Sequence, residues 1–186
     1  MEEVLVGAGL ATGMFYHAPA GTKLPESPFA ALASDWVKVG DVTSDGITLT
    51  TDKSTEDLKN WANKIKRSIL TDHVESIGSP IMDTTEETLK TVFGEDNVTV
   101  ADATADHGKL INAHISAETL PAPEAFLFLM KDGDAGMMIG CEKGQITELG
   151  DVTFAPGSGI TWETTIKGLD DGWHYVLDDG AKTVTG

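Results

Sequence analysis

Short apolar segments that end at turn residues constrain the fold of this chain most strongly. Residues 125–130 and 136–139 are apolar and lie on either side of an Asp-Gly-Asp turn. Residues 146–154 and 160–166 flank a Pro-Gly-Ser-Gly turn in the same way. Apolar runs of this length, bounded by glycine, proline and aspartate, are typical of β-hairpins. The sequence therefore predicts a mainly β chain that contains at least these two hairpins.

Four further segments carry strand signals. Residues 36–39 and 46–50 alternate between apolar and polar side chains around a Gly-Asp and an Asp-Gly pair, which predicts a third hairpin. Residues 97–100 and 173–177 are rich in β-branched and aromatic residues, which favour strands. Many short strands with regular turn signals predict a β-sandwich or barrel.

One α-helix is predicted beside the strands. Thr84 can cap its first turn, and Glu87 three residues later completes a capping box. Gly94 supplies the left-handed residue that ends a helix. The apolar face of this helix consists of Leu89, Val92 and Phe93.

The polar segment of residues 51–66 contains isolated large apolar side chains. Within it, Leu58, Trp61 and Ile65 occur at helical spacing, so residues 54–65 are either a short helix or an ordered loop. Trp61 stands among lysine and asparagine residues, and an aromatic residue in a polar segment is typical of a protein interface. Packing of Trp61 in the core is the equal alternative. We expect these three residues at a protein–protein contact.

Both ends of the chain are expected to be arms of a single domain that spans residues 1–186. Residues 1–25 are interrupted by glycine and proline, and they form the predicted N-terminal arm. Residues 178–186 form a small polar C-terminal tail. Because the apolar residues of the N-terminal arm have no local element to pack in, a neighbouring molecule is expected to accept them. These residues are Val4, Leu5, Val6 and Leu10.

The charge and the single cysteine exclude several classes of protein. The chain has 13 Lys and Arg against 30 Asp and Glu, a formal net charge of −17. Such a surface repels nucleic acid and anionic membranes, although simple solubility accounts for it equally well. Cys141 alone permits no intramolecular disulfide. With no basic signal segment and no apolar run of about 20 residues, we expect synthesis in a reducing cytoplasm and no membrane contact.

No motif for catalysis, cofactor binding or metal binding is convincing. The glycines of residues 7–13 resemble a dinucleotide fingerprint, but their spacing is one residue too long, and the prolines that follow allow no helix. Asp102, His107 and His114 lack a specific metal-ligand spacing. No serine lies in a nucleophile elbow. We therefore expect no enzyme activity, no cofactor and no metal.

Several segments, taken in order, resemble one family. Residues 13–25, 36–48 and 54–61 look like the major tail proteins of siphophages that infect actinobacteria. The helix segment that ends at Gly94, with the strand after it, resembles the same family. The resemblance covers about the first hundred residues well and the remainder loosely. Ala62 and Asn63, after Trp61, depart from the glycine-rich turn that the family would have there.

The resemblance implies a tail-tube-type β-sandwich or barrel whose copies form hexameric rings that stack into a hollow tube. Residues 51–66 would then lie between subunits or between stacked rings. The implied place is the virion tail, with the tape measure protein, the tail terminator and baseplate proteins as partners. DNA would pass through a negative lumen without specific binding.

Three other functions remain open from the sequence. The chain could be another ring-forming tail protein, such as a terminator or a baseplate hub, which closes one ring without propagating. It could be a monomeric β-sandwich that binds a receptor or a carbohydrate. The glycine-rich segment leaves an enzyme with a nucleotide cofactor as the third alternative, which bound-flavin absorbance would reveal.

Overall fold

A computed structural model describes residues 5, 7–9, 14–115 and 118–181. The strands within these residues are β1 (Ala8–Gly9), β2 (Phe15–Pro19), β3 (Val37–Gly40), β4 (Thr48–Lys59), β5 (Ile65–Ile81), β6 (Val98–Ala101), β7 (Leu110–Ala113), β8 (Glu124–Asp132), β9 (Ala135–Leu149), β10 (Trp162–Gly168) and β11 (His174–Asp178). The helix α1 spans Glu86–Phe93, and a short 3-10 turn spans Glu95–Asn97. The predicted mainly β fold with one flanking helix is confirmed.

Most strands form one antiparallel sheet, and the chain after the strand at one end returns to pair with the strand next to the other end. Its order is β3-β2-β8-β9-β10-β5-β4, with β1 paired to β8 and β11 paired to β9, while β6 and β7 form a separate ribbon. Val42, just after β3, bridges Ile81 at the end of β5. The Thr43 amide donates to the Pro80 carbonyl at 2.9 Å beside this bridge. The sheet therefore curls back on itself as in a small barrel.

The core lies on both faces of the β8–β9 hairpin. Inside the curled sheet, the rings of Phe15 and Phe128 stack with centroids 4.4 Å apart. On the other face, Trp36, Leu127 and Met138 form a second buried cluster, covered by the segment between β2 and β3. A strand buried on both faces needs a continuous apolar run, which explains the sequence of residues 125–130.

Two of the three predicted hairpins are confirmed, and the third is wrong. β8 and β9 pair around a turn with Gly133 at φ 56°, and β9 pairs with β10. Residues 36–39 and 46–50 do not pair with each other, because β3 pairs with β2 and β4 pairs with β5. After β3 the chain pairs with β5 at Val42, loops out near Gly46, and pairs with β5 again from Thr48. It runs in the same direction before and after the loop, so the turn residues do not reverse the chain.

The helix is where the sequence predicts it, but its cap is one residue later. Thr85 is the N-cap, and its hydroxyl accepts from the Thr88 amide at 3.2 Å. The hydroxyl of Thr84 accepts instead from the Trp162 indole at 3.0 Å, so it is not available to the helix. The predicted capping box with Glu87 is therefore wrong. The Thr88 hydroxyl donates to the Val39 carbonyl at 2.8 Å and ties α1 to β3.

Part of the segment expected to be an N-terminal arm belongs to the sheet. β2 lies between β3 and β8, and Phe15 is completely buried. Leu5 is half-buried, whereas Val4, Val6 and Leu10 lie outside the described residues. At the other end, β11 continues to Asp178, and residues 182–186 of the expected tail also lie outside the described part.

Candidate assembly interface

The β4–β5 hairpin is the most unusual feature of the molecule. The strands pair from Thr48 with Gly78 to Lys59 with Ile65. All of β4 and the first nine residues of β5 are exposed. At about 3.3 Å per residue the exposed ribbon is roughly 40 Å long. The prediction of a short helix or loop in this region is wrong, because the helical spacing of its apolar residues spans two strands and the turn between them.

The turn of the hairpin is built by asparagine. The Asn60 amide donates to the Lys64 carbonyl at 2.9 Å, and the Asn63 amide donates to the Asn60 carbonyl at 2.8 Å. The side-chain oxygen of Asn60 accepts from the amides of Ala62 and Lys64. Asn63 has φ 57°, a left-handed conformation that asparagine tolerates. The turn thus forms with Asn63, and not glycine, at its left-handed position.

The tip of the hairpin combines an aromatic ring with positive charge. Trp61 is fully exposed, and Leu58 and Ile65 are about half exposed. The basic residues of the tip are Lys59, Lys64, Lys66 and Arg67. None of these four forms an ion pair with an acidic group in the part of the chain that the structure describes. A two-stranded ribbon without a covering layer is marginally stable in water, so this geometry suits contact with another molecule.

Comparison with known proteins gives the context for this ribbon. Residues 2–173 match the sequence profile of a family described as phage tail tube protein. The chain belongs to the phage tail tube protein family. A search of curated proteins finds no significant match. The profile reaches past β10, so the likeness extends well beyond the first hundred residues on which the sequence resemblance mainly rests.

Family membership makes the protein a structural component of the phage tail that assembles with its own copies into a tube. The hairpin of this tail tube subunit brings the predicted residues to one end. Leu58 pairs with Arg67 and Lys59 pairs with Ile65, with a register shift between the two pairs, so Leu58 and Ile65 both lie beside the turn. Trp61 lies at the apex between them.

Two exposed apolar residues of the tail tube subunit escaped the sequence reasoning. Ile69 and Leu70, on β5, are both largely exposed and pair with Glu56 and Thr55. The sequence signal for them was a pair of adjacent apolar residues in an otherwise polar stretch. It was missed because the expected interface segment ended at residue 66.

A half-buried histidine of β2 lies between two other elements of the subunit. His17 Nδ1 lies 2.9 Å from Glu124 Oε2 on β8, and its Nε2 lies 3.8 Å from Glu87 Oε2 on α1. Histidine beside carboxylate also occurs in hydrolases, but among the described residues no serine, threonine or cysteine side chain hydrogen-bonds this ring. The ring therefore hydrogen-bonds to β8, while its Nε2 only approaches α1 and has no hydrogen-bond partner among the described groups.

The remaining reactive groups have structural explanations. Burial raises the pKa of the Cys141 thiol to about 12, so it is a poor nucleophile. Hydrogen bonds from Lys109 and Lys90 lower the pKa of Glu86 to about 2.

Within the described ranges, no group of three or more His, Cys, Asp or Glu is arranged to hold a metal ion. A search of the described helices finds none with the length and apolar character needed to cross a membrane.

Proposed function

We propose that this subunit builds the tail tube of a siphophage of actinobacteria as six-fold rings that stack, a conduit through which the genome enters the host. The observation that carries this proposal is the β4–β5 hairpin, which is exposed on both faces for most of its length. A free subunit gains nothing from such a ribbon, whereas an assembled subunit can bury it against a neighbour. The hexameric arrangement rests on the resemblance described above.

The interface in such a ring is heterologous. A projecting ribbon contacts a different surface on the next copy, and contacts of this kind close into a ring or propagate as a helix or stack. Leu58, Trp61 and Ile65 supply the apolar anchors of this contact, and the apolar residues near the N-terminus, Val4, Leu5, Val6 and Leu10, supply a second one. The tape measure protein, the terminator and the baseplate proteins are the further partners. The role is structural and non-enzymatic.

The lumen of the proposed tube is net negative and makes no specific contact with DNA. The subunit carries −17 formal charges, so a ring of six copies carries 6 × −17 = −102 before counter-ions bind. A channel lined by many Lys and Arg residues would hold the genome, because each phosphate contact adds affinity.

Electron microscopy of the purified subunit at increasing concentration tests this function. We expect hollow tubes with six-fold symmetry. Single rings that never stack would favour a terminator or a hub. Another rotational symmetry, or a monomer under every assembly condition and in contact with tail initiators, would contradict the proposal.

A further inference from the structure

The β4–β5 hairpin leaves the curled sheet at one short stretch of β5. The ladder between β5 and β10 ends at the pair of Ser76 and Lys167. Farther out, β5 continues its pairing with β4, and residues 65–73 are exposed. Residues 74–76, here called the root of the hairpin, are half-buried between this exposed part and the core. Contacts at the root therefore decide the direction of a ribbon that is roughly 40 Å long.

Glu75 lies on the core-facing side of β5, at the root. Side chains two positions apart in a strand share a face, and Glu75 belongs to the same row as Ile77 and Ile81. Both isoleucines are completely buried. The side chain of Glu75 is 26% exposed, so the buried row ends in a carboxylate at the point where the hairpin leaves the core.

Both oxygens of this carboxylate have partners. The backbone amide of Trp173 donates to Glu75 Oε2 at 3.1 Å. His73 Nε2, two residues along β5, lies 3.1 Å from Glu75 Oε1. The contact with His73 stays within the hairpin. The bond from Trp173 instead joins the hairpin to the rest of the subunit, one residue beyond the end of the β5–β10 ladder.

The loop that carries Trp173 is fixed to the core. The Trp173 ring packs against the inner cluster, with its centroid 6.2 Å from that of Phe128. A Cβ built on Gly168 would lie 2.9 Å from the Trp173 ring, so the ring rests on the backbone at the end of β10. The Leu169 amide donates to the Lys143 carbonyl at 3.0 Å. Glu75 therefore bonds to a partner that does not move with the hairpin.

Gly172 provides the space for the carboxylate. Its φ is 72°, and a Cβ built at this position would lie 2.7 Å from Glu75 Oε2. The amide of Gly172 donates to the Leu169 carbonyl at 3.0 Å and closes the turn before Trp173. Glycine at this position thus permits both the left-handed backbone and the close approach of the carboxylate.

We propose that Glu75 is the positioning residue of the hairpin, and that its bond to the Trp173 amide fixes the angle at which the hairpin leaves the curled sheet. Without this bond the ribbon pivots at Ser76, where its last pair with β10 lies. A rotation of about 10° there moves the tip by roughly 7 Å, because the ribbon is about 40 Å long. The angle is a property of the single subunit, so the inference goes beyond the proposed function and is tested without tubes.

Spin-label distances in the full-length free subunit measure this angle. One label is attached at Ala62→Cys in the turn, and the other at Lys131→Cys on β8, which β9 and β10 separate from β5. Native Cys141 is buried, which protects it from labelling. We expect a narrow distance distribution with Glu75 present and one at least about twice as wide in Glu75→Ala, because the tip then swings by several ångströms. Equal widths would overturn the proposal.

Two variants show whether the effect belongs to this bond. Asp57→Ala is the matched control, because it also removes a carboxylate from the hairpin, but one whose bond, from the Ser68 hydroxyl at 2.6 Å, stays within the hairpin. It should leave the distribution narrow. Glu75→Gln retains an acceptor oxygen with the same reach and should keep most of the narrow distribution. Widening in Asp57→Ala equal to that in Glu75→Ala would contradict the assignment.

Gly172→Ala tests the same contact from the loop. Its Cβ would displace the carboxylate, so we expect a wide distribution here too, and no further widening when Glu75→Ala is added, because both changes remove one interaction. Further widening in the double variant would show that the loop acts by another route. Should Glu75→Ala fail to fold by circular dichroism, Gly172→Ala and Glu75→Gln decide the question.

Amide exchange at Trp173 reports on the bond itself. We expect its exchange rate to rise by about tenfold or more in Glu75→Ala, because the amide loses its acceptor. An unchanged rate would refute the proposed bond even if the hairpin moved. Failure of the unmodified protein to form tubes would contradict the proposed function and leave this inference standing, since both measurements use the free subunit.

Discussion

Trp61 allows folding and assembly to be tested separately. It is fully exposed at the turn of the hairpin, so its removal takes no contact from the core. We expect Trp61→Ala to change the free energy of unfolding of the isolated subunit by less than about 0.5 kcal/mol. Tube formation should require a higher protein concentration. Urea unfolding and light scattering measure the two effects.

A core substitution provides the contrast for this experiment. Phe128 is completely buried and stacks on Phe15, so Phe128→Ala should destabilise the subunit by about 3–5 kcal/mol. A similar loss from Trp61→Ala would place Trp61 in the folded core and would contradict the interface assignment.

Glu86 makes the stability of the subunit depend on pH. Lys109 and Lys90 lower its pKa from 4.5 to about 2 in the folded protein. A carboxylate with a depressed folded pKa stabilises the fold above its unfolded pKa and loses that contribution as the pH falls through the folded pKa. Glu86→Gln should therefore destabilise the subunit at pH 7 and flatten the dependence between pH 4.5 and about 2.

Urea midpoints at pH 7, 4.5 and 2.5 measure this dependence. Glu56→Gln is the matched control, because Glu56 is exposed on the hairpin. Equal pH profiles for the two variants would show that the ion pairs of Glu86 contribute nothing to stability.

At the scale of elements, the β4–β5 hairpin should be the least stable part of the free subunit. Its exposed strands hydrogen-bond to each other but pack against nothing in the body, and such regions open locally at low free energy. We expect fast amide exchange for residues 50–70 in the free subunit and slow exchange in tubes, while β8 stays protected in both. Protection of the hairpin in the free subunit would show that it does not need a neighbour.

The sequence predicts well those elements whose pairing partner is close in sequence or whose two faces are both buried. β8 and β9 form a hairpin because their turn is short and both of their faces are buried. The partner of β3 is β2, and residues distant in sequence decide this pairing, so turn chemistry alone gives the wrong hairpin. Apolar periodicity fails to predict the β4–β5 ribbon for another reason. An element that is exposed on both faces has no buried side, so its apolar residues need not recur at every second position.

The candidate site could be predicted in location but not in shape. Leu58, Trp61 and Ile65 attract attention as apolar residues in a polar segment, and the hairpin brings all three to its tip. Their arrangement as a hairpin could not be predicted, because the spacing of the three residues runs across two strands and the turn between them.

For the whole molecule, the acidic balance predicts how assembled tubes treat DNA. With 30 Asp and Glu against 13 Lys and Arg, little positive charge is left for the lumen once the tip bases are engaged. We expect intact tubes to show no retention of double-stranded DNA even at low salt, where phosphate contacts are strongest. A gel-shift or sedimentation assay measures this, with a Glu148→Lys and Glu163→Lys variant for comparison. Tight binding by unmodified tubes would mean that the acidic residues lie on the outer surface.

The long β4 strand is also an open edge of the sheet. This edge affects whether unassembled subunits aggregate. Twelve residues of a two-stranded ribbon expose backbone groups to any passing strand, which is the usual route to fibrils. Here the edge carries Asp52, Lys53 and Glu56, and the register shifts twice along its length. Charged side chains and bulges make a poor template for edge-to-edge pairing. Unassembled copies can therefore accumulate in a crowded cell without sticking edge to edge, while the hairpin tip remains free for its specific partner.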